Sequence, residues 1–310
     1  MIALAVVLWA AVALALAFGF YVRYVEPARI ELTRTQVRLE GLPPALDGLT
    51  IAHLSDFHCQ PDDAIEWSSR EAVQLVMAEQ PDLIAITGDM FEVSELAGEC
   101  AWQLEGLSAP LGVWAVPGNH DRAQRDPYAY LEAPPERIEE LGEVLAGLGV
   151  TLLVNESRTV KVEGTELAVA GVDDFAYGRD DAQAAVAQVD GADVALLLAH
   201  TPDMLDDPCA RRADLVLCGH THGGQIRLPR IGTPWAPVWR DRRRGSGLLR
   251  ADGALCYVTR GVASATRARF RCRPEIALLT LRAGRETEAL DVPVRAADET
   301  CRQSHEEETL

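Results

Sequence analysis

The chain has 310 residues, 48% hydrophobic and 25% charged, the balance of a globular protein with a sizeable core. Its formal charge of -18, from 29 basic against 47 acidic side chains, disfavours general nucleic-acid binding. The cysteines, at 59, 100, 209, 218, 256, 272 and 301, are odd in number with no Cys-x-x-Cys pair, so a disulfide framework and a thiolate zinc site are both unexpected.

Residues 1–22 carry no charged side chain and form a run long enough to span a bilayer, which takes ~20 residues. Tyr21, Arg23 and Tyr24 follow, as at a membrane interface. A cleaved signal peptide would need a basic start and a shorter apolar core, so a retained single-pass anchor is expected. Arg23, Arg29 and Arg34 flank only its C-terminal side, which by the positive-inside rule places the main domain in the cytoplasm.

Residues 23–47 read as a linker and first strand. The β-type run 49–54 ends at Ser55-Asp56-Phe57-His58, and a helix is predicted over 64–79. A buried strand at 83–86 ends at Thr87-Gly88-Asp89, a second helix fills 95–107, and a strand at 112–116 ends at Pro117-Gly118-Asn119-His120-Asp121. Pro134 and Pro135 open the next helix, which stops near Gly147. Short strands follow at 152–154, 159–162 and 167–170, then a helix around 181–189. The strand 194–198 ends at His200, and the strand 215–217 runs into Cys218-Gly219-His220-Thr221-His222-Gly223-Gly224, whose glycines suit close backbone approach. A long loop carrying Trp235, Trp239 and Arg240 to Arg244 precedes strands at 255–258 and 276–281. The polar extension 284–310 reads as disordered from about 296.

Five strands thus end in metal-competent side chains, and strand ends are where α/β sheets build sites. Five of the 7 histidines lie there; His53 sits inside a strand and His305 in the tail. A nitrogen and oxygen ligand set without thiolate suits Mn, Fe, Zn or Co rather than a calcium cage or a structural zinc. Asp56, His58, Asp89, Asn119, His200, His220 and His222 exceed the needs of one ion. They fill two divalent metal sites if one carboxylate bridges, the ions then lying ~3.5–4 Å apart around a phosphoryl displacement.

Asp56-x-His58, Gly88-Asp89, Gly118-Asn119-His120-Asp121, His200 and Gly219-His220-Thr221-His222 together resemble the five-block signature of the calcineurin-like metallophosphoesterases, in family order over about residues 48–283. The resemblance implies a four-layer α/β/β/α sandwich. It implies one metal on Asp56, His58, Asp89 and His222, and another on Asp89, Asn119, His200 and His220, with Asp89 as the bridge. It also implies His120 as general acid, with Asp121 orienting it. Gly223-Gly224-Gln225, Gly171-Val172-Asp173-Asp174 and Arg269-Phe270 are similar to a membrane-anchored bacterial branch, some of whose members cleave UDP-2,3-diacylglucosamine in lipid A synthesis. The substrate does not follow from that resemblance.

Several residues have two readings. Asp173 and Asp174 are supports of the ligands or a turn. Arg260 and Arg269 grip substrate phosphate or make surface salt bridges. Arg242 to Arg244 are a solvated loop or, with Trp235 and Trp239, a contact with anionic headgroups. The chain as a whole reads as a dimetal hydrolase of a phosphorylated, lipid-linked substrate at the membrane. The alternatives are an exported or soluble-substrate phosphodiesterase, and a membrane-tethered metal-binding scaffold without turnover. The presence of both Asp89 and His120 favours the enzyme.

Overall fold

The computed structural model describes residues 2–126, 129–238, 241–264, 266–285 and 289–292. In chain order the elements are α1 (Ile2–Phe20), β1 (Glu31–Leu39), β2 (Thr50–Leu54), α2 (Asp63–Glu79), β3 (Leu83–Thr87), α3 (Ala97–Cys100), β4 (Val113–Val116), β5 (Ala123–Arg125) and β6 (Tyr130–Glu132). Then come α4 (Glu136–Gly147), β7 (Val150–Leu152), β8 (Glu156–Val162), β9 (Thr165–Gly171), α5 (Ala182–Ala185), β10 (Val194–Leu198), β11 (Leu215–Cys218), β12 (Gly247–Ala251), β13 (Ala254–Val258), β14 (Glu275–Ala283) and β15 (Leu290–Asp291). One sheet has the order β1-β14-β2-β3-β4-β7 and the other β15-β12-β13-β11-β10-β9-β8.

Three apolar seams separate four layers. Strand β3 shows how one sequence serves two seams, because alternate side chains face opposite ways. Ile84 and Ile86 pack with Ala72 and Val76 of α2 and Leu141 and Leu145 of α4. Leu83 and Ala85 face the second sheet, meeting a cluster that includes Val169, Leu196, Leu198 and Leu217. On the far side of that sheet, Ala170, Leu197, Val216 and Cys256 are covered by Ala182, Ala185, Met204 and Cys209. A continuous apolar run is what a strand buried on both faces requires.

The helical layers are unequal. Helix α2 starts where Asp62 accepts hydrogen bonds from the Ala64 and Ile65 amides, and ends at Gln80 in a left-handed conformation. The helix expected at 95–107 is instead a short α-turn, 97–100, between 3-10 turns at 94–96 and 101–104. Gly98 and the tight turn at Gly106 are poor continuations of a helix. The helix expected at 181–189 is one turn, after which 3-10 turns at 202–206 and 208–212 carry the outer layer.

Residues 23–47 are folded for much of their length. Strand β1 pairs in parallel with β14 from Glu31↔Glu275 to Leu39↔Ala283 and forms the edge of the first sheet. Its alternation is weak, since most of it is only half-buried. Strand β12 and the β5–β6 hairpin also lie outside the expected elements. Cys59, Cys100, Cys218, Cys256 and Cys272 are free and buried. Cys209 is disulfide-bonded, so the expectation from the cysteine count does not extend to it. The expected disorder from 296 and the position of Cys301 lie outside the described residues.

A buried polar knot holds the β1 edge. Glu275 Oε1 accepts from Thr33 Oγ1 at 2.6 Å and from Tyr257 Oη at 2.9 Å. Its Oε2 accepts from the Arg260 amide and Nε, both at 3.0 Å. Burial alone would raise the Glu275 pKa, but the Arg260 charge and these donors outweigh it and hold the carboxyl below its ordinary value. That stabilisation is complete above the unfolded carboxyl value of about 4.3 and is lost as pH falls through the lower folded value. Glu275→Ala should therefore cost about 3 kcal/mol at neutral pH by leaving Arg260 half-paired. The difference from wild type should shrink as pH drops below about 4, which thermal unfolding in detergent at two pH values would test.

Candidate metal centre

The strands β2, β3 and β4 run parallel, as do β9, β10, β11 and β13, so the two sheets deliver their carboxyl ends to one edge. Every candidate ligand lies just past such an end. The turns there are sharp. Asp56, His58, Asp89, His220 and His222 all have left-handed φ, between 48° and 65°. A non-glycine residue in that region costs about 1–3 kcal/mol and persists only where its surroundings hold it. Here the loops hold one another. The Asp56 amide donates to Gly88 O at 3.0 Å, the His58 amide to Asp89 O at 2.9 Å and the Gly219 amide to His200 O at 2.9 Å. The contacts are close enough that a methyl group on Gly88 would lie 2.5 Å from His200 Nδ1 and 2.8 Å from the Gly118 backbone.

Three imidazoles are aimed by their Nδ1 atoms. His200 Nδ1 donates to Thr87 O at 2.8 Å and His222 Nδ1 to Ala263 O at 3.1 Å. His58 Nδ1 donates to Glu92 Oε2 at 2.9 Å. A carbonyl or carboxylate can only accept, so each Nδ1 carries the proton and each Nε2 is left as a lone-pair donor to the centre. His58 Nε2 and His222 Nε2 lie 3.4 Å apart, Asp89 Oδ2 lies 3.2 Å from His200 Nε2, and His220 Nδ1 lies 3.1 Å from the same Nε2. Asn119 Oδ1 is 3.1 Å from His200 Nε2. Such lone pairs facing one another repel unless something positive lies between them. Two ligands each ~2.1 Å from one ion sit roughly 3.0–3.4 Å apart. Asp56 Oδ1 is buried with no hydrogen-bond partner among the described residues, 3.7 Å from His222 Nε2. The donor set therefore fits divalent cations. Asp56, His58 and His222 form one group, and Asp89, His200 and His220 another.

The electrostatics agree. Burial opposes a charge on His200, yet Asp89 and Asp56 outweigh it and lift its pKa to about 10. Burial and the neighbouring His200 push His220 down to about 3, and burial with His58 lowers His222. Two buried carboxylates thus demand positive charge that the imidazoles cannot all supply as protons.

His120 stands at the rim. Its side chain is 21% exposed, against 1% for His58 and His200. Its Nδ1 donates to Glu92 O at 2.9 Å, which leaves Nε2 free, and its amide donates to Asp89 Oδ1 at 2.8 Å. Asp121 does not orient this ring as expected. Its carboxylate is consumed by the amides of Met90, Phe91 and Gly118 at 3.0–3.2 Å, so it ties the β3 loop to the β4 loop. The group that sets the ring is the Glu92 carbonyl.

Both expected substrate arginines are engaged elsewhere. Arg260 pairs with Glu275 and with Glu31 Oε2 at 3.0 Å. Arg269 is fully buried and donates to the carbonyls of Cys272, Arg260 and Ala263. Arg244 is no solvated residue either, being buried against Asp206 and Asp203. Arg243 pairs with Asp241. Trp239 and Arg240 lie outside the described residues, and Trp235 is 65% exposed. Asp173 takes a bidentate contact from Arg122, and Asp174 accepts from the Tyr177 amide at 2.9 Å.

Glu92 was not among the expected site residues. It is 4% exposed, and besides His58 it accepts from Tyr130 Oη at 2.9 Å. The one signal available was a carboxylate three residues past Asp89, on the loop leaving a buried strand.

Two facing sheets with a dimetal-competent cluster at their shared edge define a class of hydrolase. The calcineurin-like phosphoesterase family model matches residues 49–224, and the chain belongs to that family. Over 279 residues it is 33% identical to phosphodiesterase YaeI of Escherichia coli K12, covering 88% of this chain and 95% of that protein. Over 307 residues it is 27% identical to the UDP-2,3-diacylglucosamine pyrophosphatase LpxG of Chlamydia muridarum, covering 84% and 91%. It is 29% identical over 272 residues to the uncharacterized metallophosphoesterase YkuE of Bacillus subtilis, covering 84% and 89%. The chain is a metal-dependent phosphoester hydrolase of a family that uses two divalent metal ions.

Because Glu92 fixes both His58 and the backbone beneath His120, Glu92→Gln should weaken metal affinity by about 10–100-fold, the usual effect of removing such a support. Metal content after dialysis against graded chelator would measure it; unchanged retention would mean that His58 holds its orientation without the carboxylate.

Proposed function

We propose that this chain hydrolyses a phosphodiester or pyrophosphate carried by a lipid, at the surface of the membrane in which residues 2–25 are anchored. One metal would be held by Asp56, His58, Asp89 and His222, and the other by Asp89, Asn119, His200 and His220. When bound, the ions supply Lewis-acid charge to the phosphoryl oxygens. His120 Nε2 delivers a proton to the leaving oxygen, with its ring held by the Glu92 carbonyl. Asp121 keeps the two supporting loops in register.

The observation that carries the membrane part is the seat of the apolar helix. The helical stretch Ile2–Val25 is long and apolar enough to cross a bilayer, and none of its apolar window is buried. Its far end is bonded to the domain: the Arg269 amide donates to Val22 O at 3.0 Å, and the Cys272 amide to Glu26 Oε1 at 2.6 Å. Cys272 Sγ in turn donates to His222 O at 3.3 Å. Removing residues 2–30 would therefore disturb a ligand loop as well as a tether. A catalytic centre fixed this close to the span suits an amphiphilic substrate. LpxG, by its name, acts on such a molecule, which makes UDP-2,3-diacylglucosamine the leading candidate. The positive-inside balance favours a cytoplasmic domain.

Three outcomes test this. Chelation should abolish turnover, and single restoration of Mn, Zn, Co or Mg should identify the working metal. Asp89→Asn should lose metal and turnover together, whereas His120→Ala should keep metal and lose roughly 10²–10⁴-fold in rate. That loss should shrink for p-nitrophenyl esters, whose leaving group needs little protonation; equal losses on good and poor leaving groups would remove His120 from the acid role. Last, full-length protein in mixed micelles should prefer a lipid-linked pyrophosphate to a soluble diester of equal leaving group, and no preference would return the chain to soluble substrates.

A further inference from the structure

Where the apolar helix meets the domain there is a second site, distinct from the metal centre. A half-open cavity of about 80 Å³ lies between the end of that helix, the start of α2 and the loop after Ala263. Tyr24 and Trp67 supply apolar wall, and Arg23, Ser264, Arg267 and Arg269 supply the polar part. No acidic side chain lines it among the described residues.

Among the described residues, three polar atoms of this lining are buried without a hydrogen-bond partner: Arg23 Nη1, Ser264 Oγ and Arg269 Nε. Ser264 is 3% exposed and Arg269 0%. An unsatisfied buried polar group costs about 1–3 kcal/mol, and a charged one more. Native proteins carry few such groups, and three around one cavity call for a ligand. The Arg23 guanidinium lies 5.5 Å from the centroid of the Tyr24 ring, which offers its face but no acceptor. Arg267 pairs with Asp62, the residue that also caps α2. Even so, burial and then the Arg23 charge hold the Arg267 guanidinium below its usual value. Three guanidiniums meet here against one carboxylate, in a chain whose net charge is -18.

With Ile2–Val25 in a bilayer, Arg23 falls at the depth of the lipid headgroups. Phosphate esters are the anions abundant at that depth. The volume argues likewise. At roughly 30 Å³ per liquid water, the cavity has room for a phosphate-sized group. We propose that this junction binds the phosphate of an anionic membrane lipid, held by Arg23, Ser264 and Arg267 with Arg269 adding its charge from behind the wall, and with the acyl chains lying along the apolar helix. The site rests on the reading of residues 2–25 as membrane-embedded and not on the identity of the hydrolysed substrate. It has a route to the metal centre. Ala263 lines the cavity, and its carbonyl accepts from both Arg269 Nη2, at 2.7 Å, and His222 Nδ1.

The test uses the full chain, metal-loaded, in nanodiscs of phosphatidylcholine alone or with phosphatidylglycerol added. Native mass spectrometry reads the lipid retained on release. Wild type should hold phosphatidylglycerol selectively. Arg23→Gln and Ser264→Ala should each weaken that retention, Arg23→Gln by about tenfold, or 1.4 kcal/mol. Arg29→Gln, an exposed cation outside the cavity, should change nothing. Hydrolysis of a soluble p-nitrophenyl diester in the same samples shows that each variant is folded and loaded, and Ser264→Ala serves if Arg23→Gln is not. Equal retention of both lipids by wild type overturns the proposal. So does unchanged retention in the folded variants. Displacement of the lipid by inorganic phosphate at matched concentration would mark a simple anion site and overturn the lipid assignment. Failure to hydrolyse any lipid-linked pyrophosphate bears on the preceding proposal and leaves this result standing.

Discussion

Two carboxylates, Asp56 and Asp89, are buried side by side where the sheets meet, and much of the surrounding structure follows from that. Both are at most 1% exposed. Two such charges cannot share a low-dielectric site without compensation. The chain supplies it by backbone first: the His220 amide donates to Asp56 and the His120 amide to Asp89. Imidazoles supply the rest of the first ring, and the group as a whole could hold cations. The left-handed turns at the ligands are the conformational cost of bringing backbone amides and side chains of consecutive loops onto the same oxygens.

The sequence was most readable where physical requirements are local. A strand buried on both faces must be an apolar run, so β2, β3, β4, β10 and β11 stand out, and the polar residue after each run is conspicuous by contrast. What was illegible depends on partners distant in the chain. Strand β1 is half-exposed and pairs with β14, some 240 positions later, so its alternation is faint. Arg260 and Arg269 resemble phosphate grips as single residues; only the fold shows Glu275, Glu31 and a ring of carbonyls already meeting them. Glu92 escaped because its partners, His58 and Tyr130, lie on two other loops.

The buried arginines share one logic. Arg122, Arg244, Arg260 and Arg269 each lie at a joint between layers or loops, and each presents a planar fork of donors to oxygens that burial would otherwise leave bare. Several of these cations are committed to carboxylates beside them, and the surface of a chain with net charge -18 stays acidic once those pairs are set aside. That surface would be repelled by anionic lipids, so attraction has to come from a local cluster of opposite sign. The junction beneath the apolar helix has one.

That junction also decides how firmly the catalytic domain is held to the apolar helix. A flexible linker would let the catalytic domain sample a wide volume above the bilayer. Here the chain leaves the apolar helix at Val25, buries Glu26 against the Cys272 amide, and enters β1 within a few residues. The metal centre and the helix end share loop 263–272, through His222 Nδ1 on Ala263 O and Cys272 Sγ on His222 O. A shift of the helix end has to move that loop or break those bonds, because packed interiors deform in discrete steps. The position of the apolar helix and the orientation of the His222 ring are therefore coupled by covalent chain and a handful of hydrogen bonds.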